Sequence, residues 1–440
     1  MCKHEWTRKQ EIKNSQPDNS IHGTIKAGAW YTISNVILKG ATMILSPIYA
    51  RLMTLAEYGF NSTITTWFSM LTTVVTGDLS ASVNRAKYEF PDRLYHYISS
   101  IAFLGTLITT FFYVIVLLFR DFFCSLFGCT IEFIHIQFIT LLVSPALGIY
   151  QNKCRLENRY KISVALTLGT WTVASACSML MLVSPALRGA VMGKLANDRV
   201  LAMFLGNALP GFLTYIVIYC LLIRRGQVLV NFDYWKFALA MCLPLIPHLL
   251  AGNILSHSDR IMITNICGEE FTALYSITYT CSAVISMLFN SLNQAWVPWF
   301  NEKYFRREDE TVHRITAIYV FLFFAITVFA ILLAPELLWV IGGSKYSSAI
   351  GIMPVVMISC FIQFSNAFFV NVEMFEKRTL FMALGTIMAA IINIGLNFLW
   401  LPKYGYQAGA YTTLIGFLFL HIYHNIVNKL LSYFIHSQSL

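Results

Sequence analysis

Ile98–Phe119 reads ISSIAFLGTLITTFFYVIVLLF, 22 residues without a charge. A bilayer's hydrocarbon core of roughly 30 Å takes a helix of about 20 apolar residues, so this stretch is predicted to span a membrane. Comparable stretches recur on both sides of it. The spacing predicts twelve spans, at 28–52, 60–78, 98–119, 133–150, 163–184, 201–223, 237–265, 271–293, 314–334, 349–369, 380–400 and 408–427. The composition agrees: 57% of residues are hydrophobic, 15% aromatic and only 12% charged, with a mean hydropathy of +0.62, which excludes an ordinary soluble chain. The expected fold class is an all-α polytopic membrane protein.

Lys and Arg set the orientation, because acidic residues contribute little to that bias. Of 31 such residues, eight are assigned to the side opposite the cytoplasm: Arg51, Arg120, Arg188, Lys194, Arg199, Arg260, Lys345 and Lys403. Lys39 lies inside the first span, and the remaining 22 occupy the alternate gaps and the two tails. Both termini are therefore expected in the cytoplasm. The expected organisation is a cytoplasmic tail at 1–27, a six-helix lobe at 28–223, a link at 224–236, a second six-helix lobe at 237–427 and a tail at 428–440.

The net charge of +9 is read as this topology signal. The charges are scattered over short loops rather than gathered on one element, so nucleic acid is not an expected partner. Residues 1–27 lack the apolar run of a signal peptide. The cysteines fall mostly inside spans, where they act as small hydrophobes; Cys124 and Cys129 share a loop, but a bridge between them is not the favoured reading. The loops are too short for a soluble catalytic or nucleotide-binding domain, and no GxxxxGK[ST] run occurs. A transporter is expected rather than an enzyme, with no catalytic residue, cofactor or metal site. Coupling to a proton gradient, a sodium gradient or the membrane potential stays open.

Polar side chains are costly in hydrocarbon, so their placement marks what faces protein or water. In the first span Asn35, Lys39, Thr42, Ser46 and Tyr49 fall on one helical face. The second carries Thr65, Ser69, Thr72, Thr76 and Ser80, and the eighth Ser276, Tyr279, Ser286, Asn290 and Asn293. The seventh carries Asn253, His257, Arg260 and Thr264, with Asp259 beside them. These four spans are expected to line a hydrated cavity, although Ser and Thr stripes also serve helix packing. Lys39 would sit roughly 16 Å deep at 1.5 Å per residue, facing an aqueous path. Asp259 and Arg260 read equally as substrate contacts or as a pair that fixes the helix. His248 and His257 are candidates for titration, but packing is the simpler role. Pro244 and Pro247 should kink span seven. Trp30, Trp235, Trp296, Trp299, Trp339 and Trp400 fall near span ends and read as interfacial anchors.

The two halves end their first spans alike. Arg51-Leu-Met-Thr precedes Glu57-Tyr58-Gly59, and Arg260-Ile-Met-Ile-Thr precedes Glu269 and Tyr275, as in transporters built from parallel repeats. LSPIYARLMTLAEYG (Leu45–Gly59), ILSHSDRIMITNICGEEFTALYSITY (Ile254–Tyr279) and LNQAWVPWF (Leu292–Phe300) resemble the Wzx-type oligosaccharide flippases of the MOP superfamily, whose motifs include a Leu-Thr-x-x-Glu-Tyr-Gly turn, a Ser/Asp/Arg triplet and a helix ending in Asn-x-x-Trp-x-Pro. One departure is Phe271-Thr-Ala-Leu-Tyr275, where relatives commonly place a Gly before Tyr-Ser.

The resemblance implies a V-shaped, MATE-like bundle of two lobes in the bacterial cytoplasmic (inner) membrane. It would move undecaprenyl-pyrophosphate-linked oligosaccharides by alternating access, for O-antigen or capsule synthesis, alongside polysaccharide polymerase machinery. The expected substrate partner is thus a polyprenyl-pyrophosphate-linked oligosaccharide. Lys39, Arg51 and Arg260 would offset its phosphates; Asn35, Asn253, Asn290 and Asn293 would bind sugar hydroxyls, with His257 and Asp259 as further cavity candidates. A teichoic-acid or lipid II type exporter of the same superfamily is the nearest alternative. A MATE-type drug or cation antiporter is less favoured, because it would want carboxylates in the N-terminal lobe.

Overall fold

In the computed structural model, the described residues are 37–438 apart from Lys39, Met43, Asn158, Arg307 and Lys377, and they contain helices and no strand. Helix α1 takes in the described residues between 37 and 52. It is followed by α2 (Leu55–Thr76), α3 (Val83–Glu89), α4 (Leu94–Leu118), α5 (Arg120–Phe127), α6 (Ile131–Val143), α7 (Pro145–Leu156), α8 (Tyr160–Val183) and α9 (Pro185–Met192). Then come α10 (Arg199–Gly226), α11 (Phe232–Cys242), α12 (Leu245–Cys267), α13 (Glu269–Phe305), α14 (Asp309–Leu332), α15 (Ala334–Gly342), α16 (Met353–Phe375), α17 (Thr379–Tyr404) and α18 (Gln407–Gln438).

Among the described residues, ten helical segments are long and apolar enough to cross a bilayer. They account for the third to twelfth expected spans. The first expected span begins outside the described residues. Helix α2 has 22 residues, or about 33 Å at 1.5 Å each, so its length suffices. Its Asn61, Ser62 and run of threonines keep it below the apolarity of the other ten.

Proline shapes two spans in ways that hydropathy alone hides. In the fourth, α6 stops at Val143 and Pro145 opens α7 at a position where a missing N–H is harmless. In the seventh, α11 ends at Cys242 and α12 begins at Leu245, while Leu243 and Pro244 between them keep right-handed helical angles; the disturbance expected from Pro244 falls at this junction. The eighth runs well past its expected end. Helix α13 has 37 residues, about 55 Å, so its last turns must leave the hydrocarbon.

By their contacts the helices divide into two units. One takes in Val75–Cys124 and Thr130–Leu243; the other takes in the described residues between 40 and 74, Ser125–Cys129 and the chain from Pro244 onward. The division follows packing and not chain order, since most of α1 and α2 belongs with the later helices.

In the first unit, Phe90 stacks on Tyr97 with ring centres 5.6 Å apart and meets Tyr234 edge-on at 4.9 Å. The Tyr97 hydroxyl donates to Ser82 Oγ at 2.7 Å. Helices α8 and α10 approach closely at Gly206, where a Cβ would stand 2.8 Å from the Cys177 carbonyl oxygen; small residues allow such contact between membrane helices. Lys153 is only 1% exposed, its Nζ lying 4.2 Å from the Tyr95 ring centre and 3.5 Å from Glu157, so its charge is compensated from both sides. Arg188 donates to the carbonyls of Met181 and Leu182, closing the C-terminal end of α8.

In the second unit Thr54 and Glu57 form a capping box: Glu57 N–H donates to Thr54 Oγ1 at 3.1 Å, and Thr54 N–H to Glu57 Oε2 at 2.8 Å. Gly59 follows, and a Cβ there would lie 1.8 Å from the Glu269 carbonyl oxygen. A chain of hydroxyls runs from Thr63 through Thr264 to Thr272, with separations of 2.5 and 2.7 Å. The expected anchor Trp296 belongs to the core instead. It is 3% exposed, stacked on Phe300 at 4.6 Å and set against Phe368 at 4.8 Å, because α13 continues beyond it. Trp339 is 66% exposed, as an anchor should be, while in the first unit Trp235 donates its Nε1–H to Ser100 Oγ at 2.9 Å. Trp30 lies outside the described residues. Helix α14 is the least enclosed span, with 11% of its apolar window buried. Cys124 and Cys129 are not joined by a disulfide.

Candidate functional site

Within the second unit, α1, α12 and α13 enclose a cavity of about 370 Å³. Helix α1 contributes Thr42 and Ser46, and α12 contributes Arg260. Helix α13 presents Tyr279, Thr280, Ala283, Ser286, Met287 and Asn290; residues 279, 283, 286, 287 and 290 recur at helical spacing along one face. Among the described residues the wall is therefore rich in hydroxyls, with one amide and one cation. Arg260 is the charged side chain among the lining residues.

The adjacent residues Asp259 and Arg260 part company because neighbours on a helix point about 100° apart. Asp259, 1% exposed, accepts from the Tyr275 hydroxyl at 2.5 Å, from Asn397 Nδ2 at 2.5 Å and from the Thr413 hydroxyl. Asn397 in turn accepts from Thr412 at 2.5 Å, and Ser258 donates to Asn393 at 3.4 Å. These bonds tie α12 to α13, α17 and α18. Asp259 is thus held in the helix interior, away from the cavity lining.

Arg260 turns the other way. Its Nη1 lies 2.7 Å from His257 Nδ1, and its guanidinium carbon is 5.4 Å from the Tyr279 ring centre. Its Nε is buried and has no hydrogen-bond partner among the described residues. A guanidinium has five N–H donors and no acceptor, so a cation with unused donor capacity stands at the wall of a polar cavity. Such a group suits an anion.

The other sequence candidates are dispersed. Asn290 lines the cavity, with its Nδ2 donating to the Ser286 carbonyl at 2.8 Å. Asn253 joins α12 to α2 by donating to Thr73 Oγ1 at 2.9 Å. Asn293 accepts from Asn371 at 3.2 Å. Arg51 donates to the Val340 carbonyl at 2.8 Å and so closes the end of α15. None of these three is among the lining residues. Asn35 and Lys39 lie outside the described residues. The expected contribution of the second span is also missing from the lining: Thr65, Thr66, Thr72 and Thr73 bond carbonyls one turn back on their own helix. Thr280 and Met287 were not foreseen, although their spacing from Tyr279 and Asn290 was available in the sequence.

A family described as polysaccharide biosynthesis protein matches residues 25–304. Protein 1 of the Lsg locus of Haemophilus influenzae is 24% identical over 332 residues, covering 72% of this chain and 77% of that protein. The structure of the lipid II flippase MurJ in an inward closed conformation superposes with a TM-score of 0.70 at 13% identity, covering 92% of this chain and 87% of that one. An inward-facing multidrug resistance MATE family transporter of the MOP superfamily gives 0.64 at 12% identity, covering 94% and 96%. At such identities the structural likenesses establish the fold.

Proposed function

The chain belongs to the polysaccharide biosynthesis protein family, the family its motifs resemble, and we propose that it is a flippase for polyprenyl-pyrophosphate-linked oligosaccharides in O-antigen or capsule assembly. The observation that carries this reading is Arg260, a cation with an unpartnered Nε at the wall of a cavity lined by hydroxyls and an amide. A pyrophosphate-bearing sugar cannot cross hydrocarbon unaided. The guanidinium would take the phosphates, and Thr42, Ser46, Thr280, Ser286 and Asn290 would meet sugar hydroxyls.

Magnitudes favour the phosphate as the main handle. Two unit charges about 4 Å apart at an effective dielectric near 20 attract by roughly 4 kcal/mol, against about 1 kcal/mol for a neutral hydrogen bond. Recognition would then tolerate variation in the sugar more readily than loss of a phosphate. Lys39 precedes Thr42 and Ser46 at helical spacing, and we assign it a second contact with the head group. The lipid tail would stay in the bilayer. A drug antiporter would present a carboxylate to a cationic substrate, and the described lining offers none.

The proposed setting is the bacterial cytoplasmic membrane with both termini inside, the two six-helix lobes alternating in access and a polymerase acting on the product. The test uses the full chain in vesicles loaded with a fluorescent polyprenyl-pyrophosphate oligosaccharide, read by a membrane-impermeant quencher. Head groups should become accessible far faster than in protein-free vesicles. Equal rates in both would overturn the flippase reading, and movement of lipid II alone would transfer the assignment to a lipid II exporter.

A further inference from the structure

Far from the cavity in sequence, α16 and α18 bury a carboxylate against an imidazole. Glu373 and His424 are both 0% exposed, with His424 Nδ1 2.7 Å from Glu373 Oε1. Asn428 Nδ2 also approaches that oxygen, at 3.5 Å. If Glu373 is ionised, its Oε1 accepts and Nδ1 carries the proton. Three further atoms of the cluster, Glu373 Oε2, His424 Nε2 and Asn428 Oδ1, are buried without a hydrogen-bond partner among the described residues.

Those three orphans decide the chemistry. With Glu373 ionised, the imidazole neutral and its proton on Nδ1, all three are acceptors, and among the described residues the cluster carries one negative charge without a buried counter-charge. One proton added at Nε2 changes both facts. It turns an orphan acceptor into a donor and converts the pair to imidazolium and carboxylate, with no net charge.

Among the described residues, the other titratable and charged groups on the packed helices are engaged elsewhere or exposed. In the turn after α16, Arg378 pairs with Glu376 at 2.6 Å, and Tyr304 of α13 donates to Glu376 at 2.5 Å. On α18, His421 contacts Asn366 at 2.8 Å, Tyr423 donates to the Phe381 carbonyl at 3.1 Å, and Lys429 is exposed. On α14, Glu310, His313 and Arg314 are exposed, and α17 has no charged side chain before Lys403.

We infer that Glu373 and His424 form a proton-binding site inside the second unit, whose loaded state is an imidazolium–carboxylate pair steadied by Asn428. Binding takes one proton from water and breaks no other bond. That this site couples transport to a proton gradient rests on the flippase reading; proton binding itself does not.

The test is a nitrogen NMR spectrum of the purified full chain with labelled histidine, His424 being identified by difference from His424→Gln. At neutral pH the His424 signals of the unaltered protein should be those of imidazolium, and in Glu373→Gln they should move to neutral imidazole. Neutral imidazole in the unaltered protein would overturn the site. So would an imidazolium signal that disappears when sodium replaces potassium at fixed pH, which would mark a cation site instead. In vesicles, an inward-directed pH gradient should change the flipping rate of the unaltered protein several-fold and leave Glu373→Gln unaffected. The same response in both overturns the coupling role while the spectrum judges proton binding separately.

Discussion

Arg260 Nη1 lies 2.7 Å from His257 Nδ1, one turn away on α12. A guanidinium can only donate, so the imidazole accepts and keeps its own proton on Nε2. His257 therefore orients the cation as a neutral ring. Protonating it would set two positive charges one turn apart and break the bond that aims Arg260.

Removing that acceptor frees the guanidinium. A hydrogen bond to a charged group contributes about 1.5–3 kcal/mol, so His257→Ala should weaken head-group binding by roughly tenfold or more. Membrane levels should stay normal. Binding measured with a fluorescent lipid-linked oligosaccharide checks this, and unchanged affinity would detach His257 from the site.

Arg260→Ala should stop transport at normal protein abundance, since no other charged side chain is among the described lining residues. Arg260→Lys should keep part of the activity: it restores the charge without the planar fork. If the lysine variant does no better than alanine, geometry and not charge is what the site requires. If alanine transports normally, Arg260 does not bind the head group.

Asp259 should behave differently from its neighbour. Asp259→Ala strands three buried donors, on Tyr275, Asn397 and Thr413, at about 1–3 kcal/mol each. The expected result is a clear fall in melting temperature and in membrane abundance. Asp259→Asn, which keeps an acceptor, should lose less.

At Gly59 the obstacle is steric. A Cβ 1.8 Å from the Glu269 carbonyl oxygen forces α2 and the start of α13 apart, so Gly59→Ala should lower thermal stability by several degrees in a detergent melt. A melt indistinguishable from the unaltered protein would mean the two helices separate without cost.

The orientation predicts which loops react with a membrane-impermeant thiol probe. Single cysteines at the exposed positions Lys161 and Lys194 should label from opposite faces, Lys161 only from the cytoplasm. Labelling of both from one side breaks the twelve-span topology.

The fold was largely legible because hydrocarbon imposes a simple demand: a span must be long and apolar, as Ile98–Phe119 is. The disturbance at Pro244 was legible from the proline itself, but not that Leu243 and Pro244 would keep helical angles through it. The site was harder. Helical spacing grouped Asn253, Arg260, Asn290 and Asn293 on plausible faces, yet a polar face does not reveal whether it meets water or another helix. Asn253 meets Thr73, and Arg260 meets the cavity. Arg51, Arg188 and Lys345 ran against the charge bias for a reason invisible in sequence: each donates to main-chain carbonyls near a helix end. Glu373 and His424 went unread, although a carboxylate inside FFVNVEMF and a histidine in the last span were signals of their own.

The sparse burial of α14 has a consequence for how this chain can vary. With Phe321 and Leu332 more than two-thirds exposed and few side chains of the helix enclosed by protein, the surrounding acyl chains are its main neighbours. Acyl chains are fluid and do not demand a particular shape. Leucine, isoleucine, phenylalanine and valine should be nearly interchangeable along its outward positions, so that random apolar replacement there leaves the protein working, while the same libraries placed in α13 mostly fail.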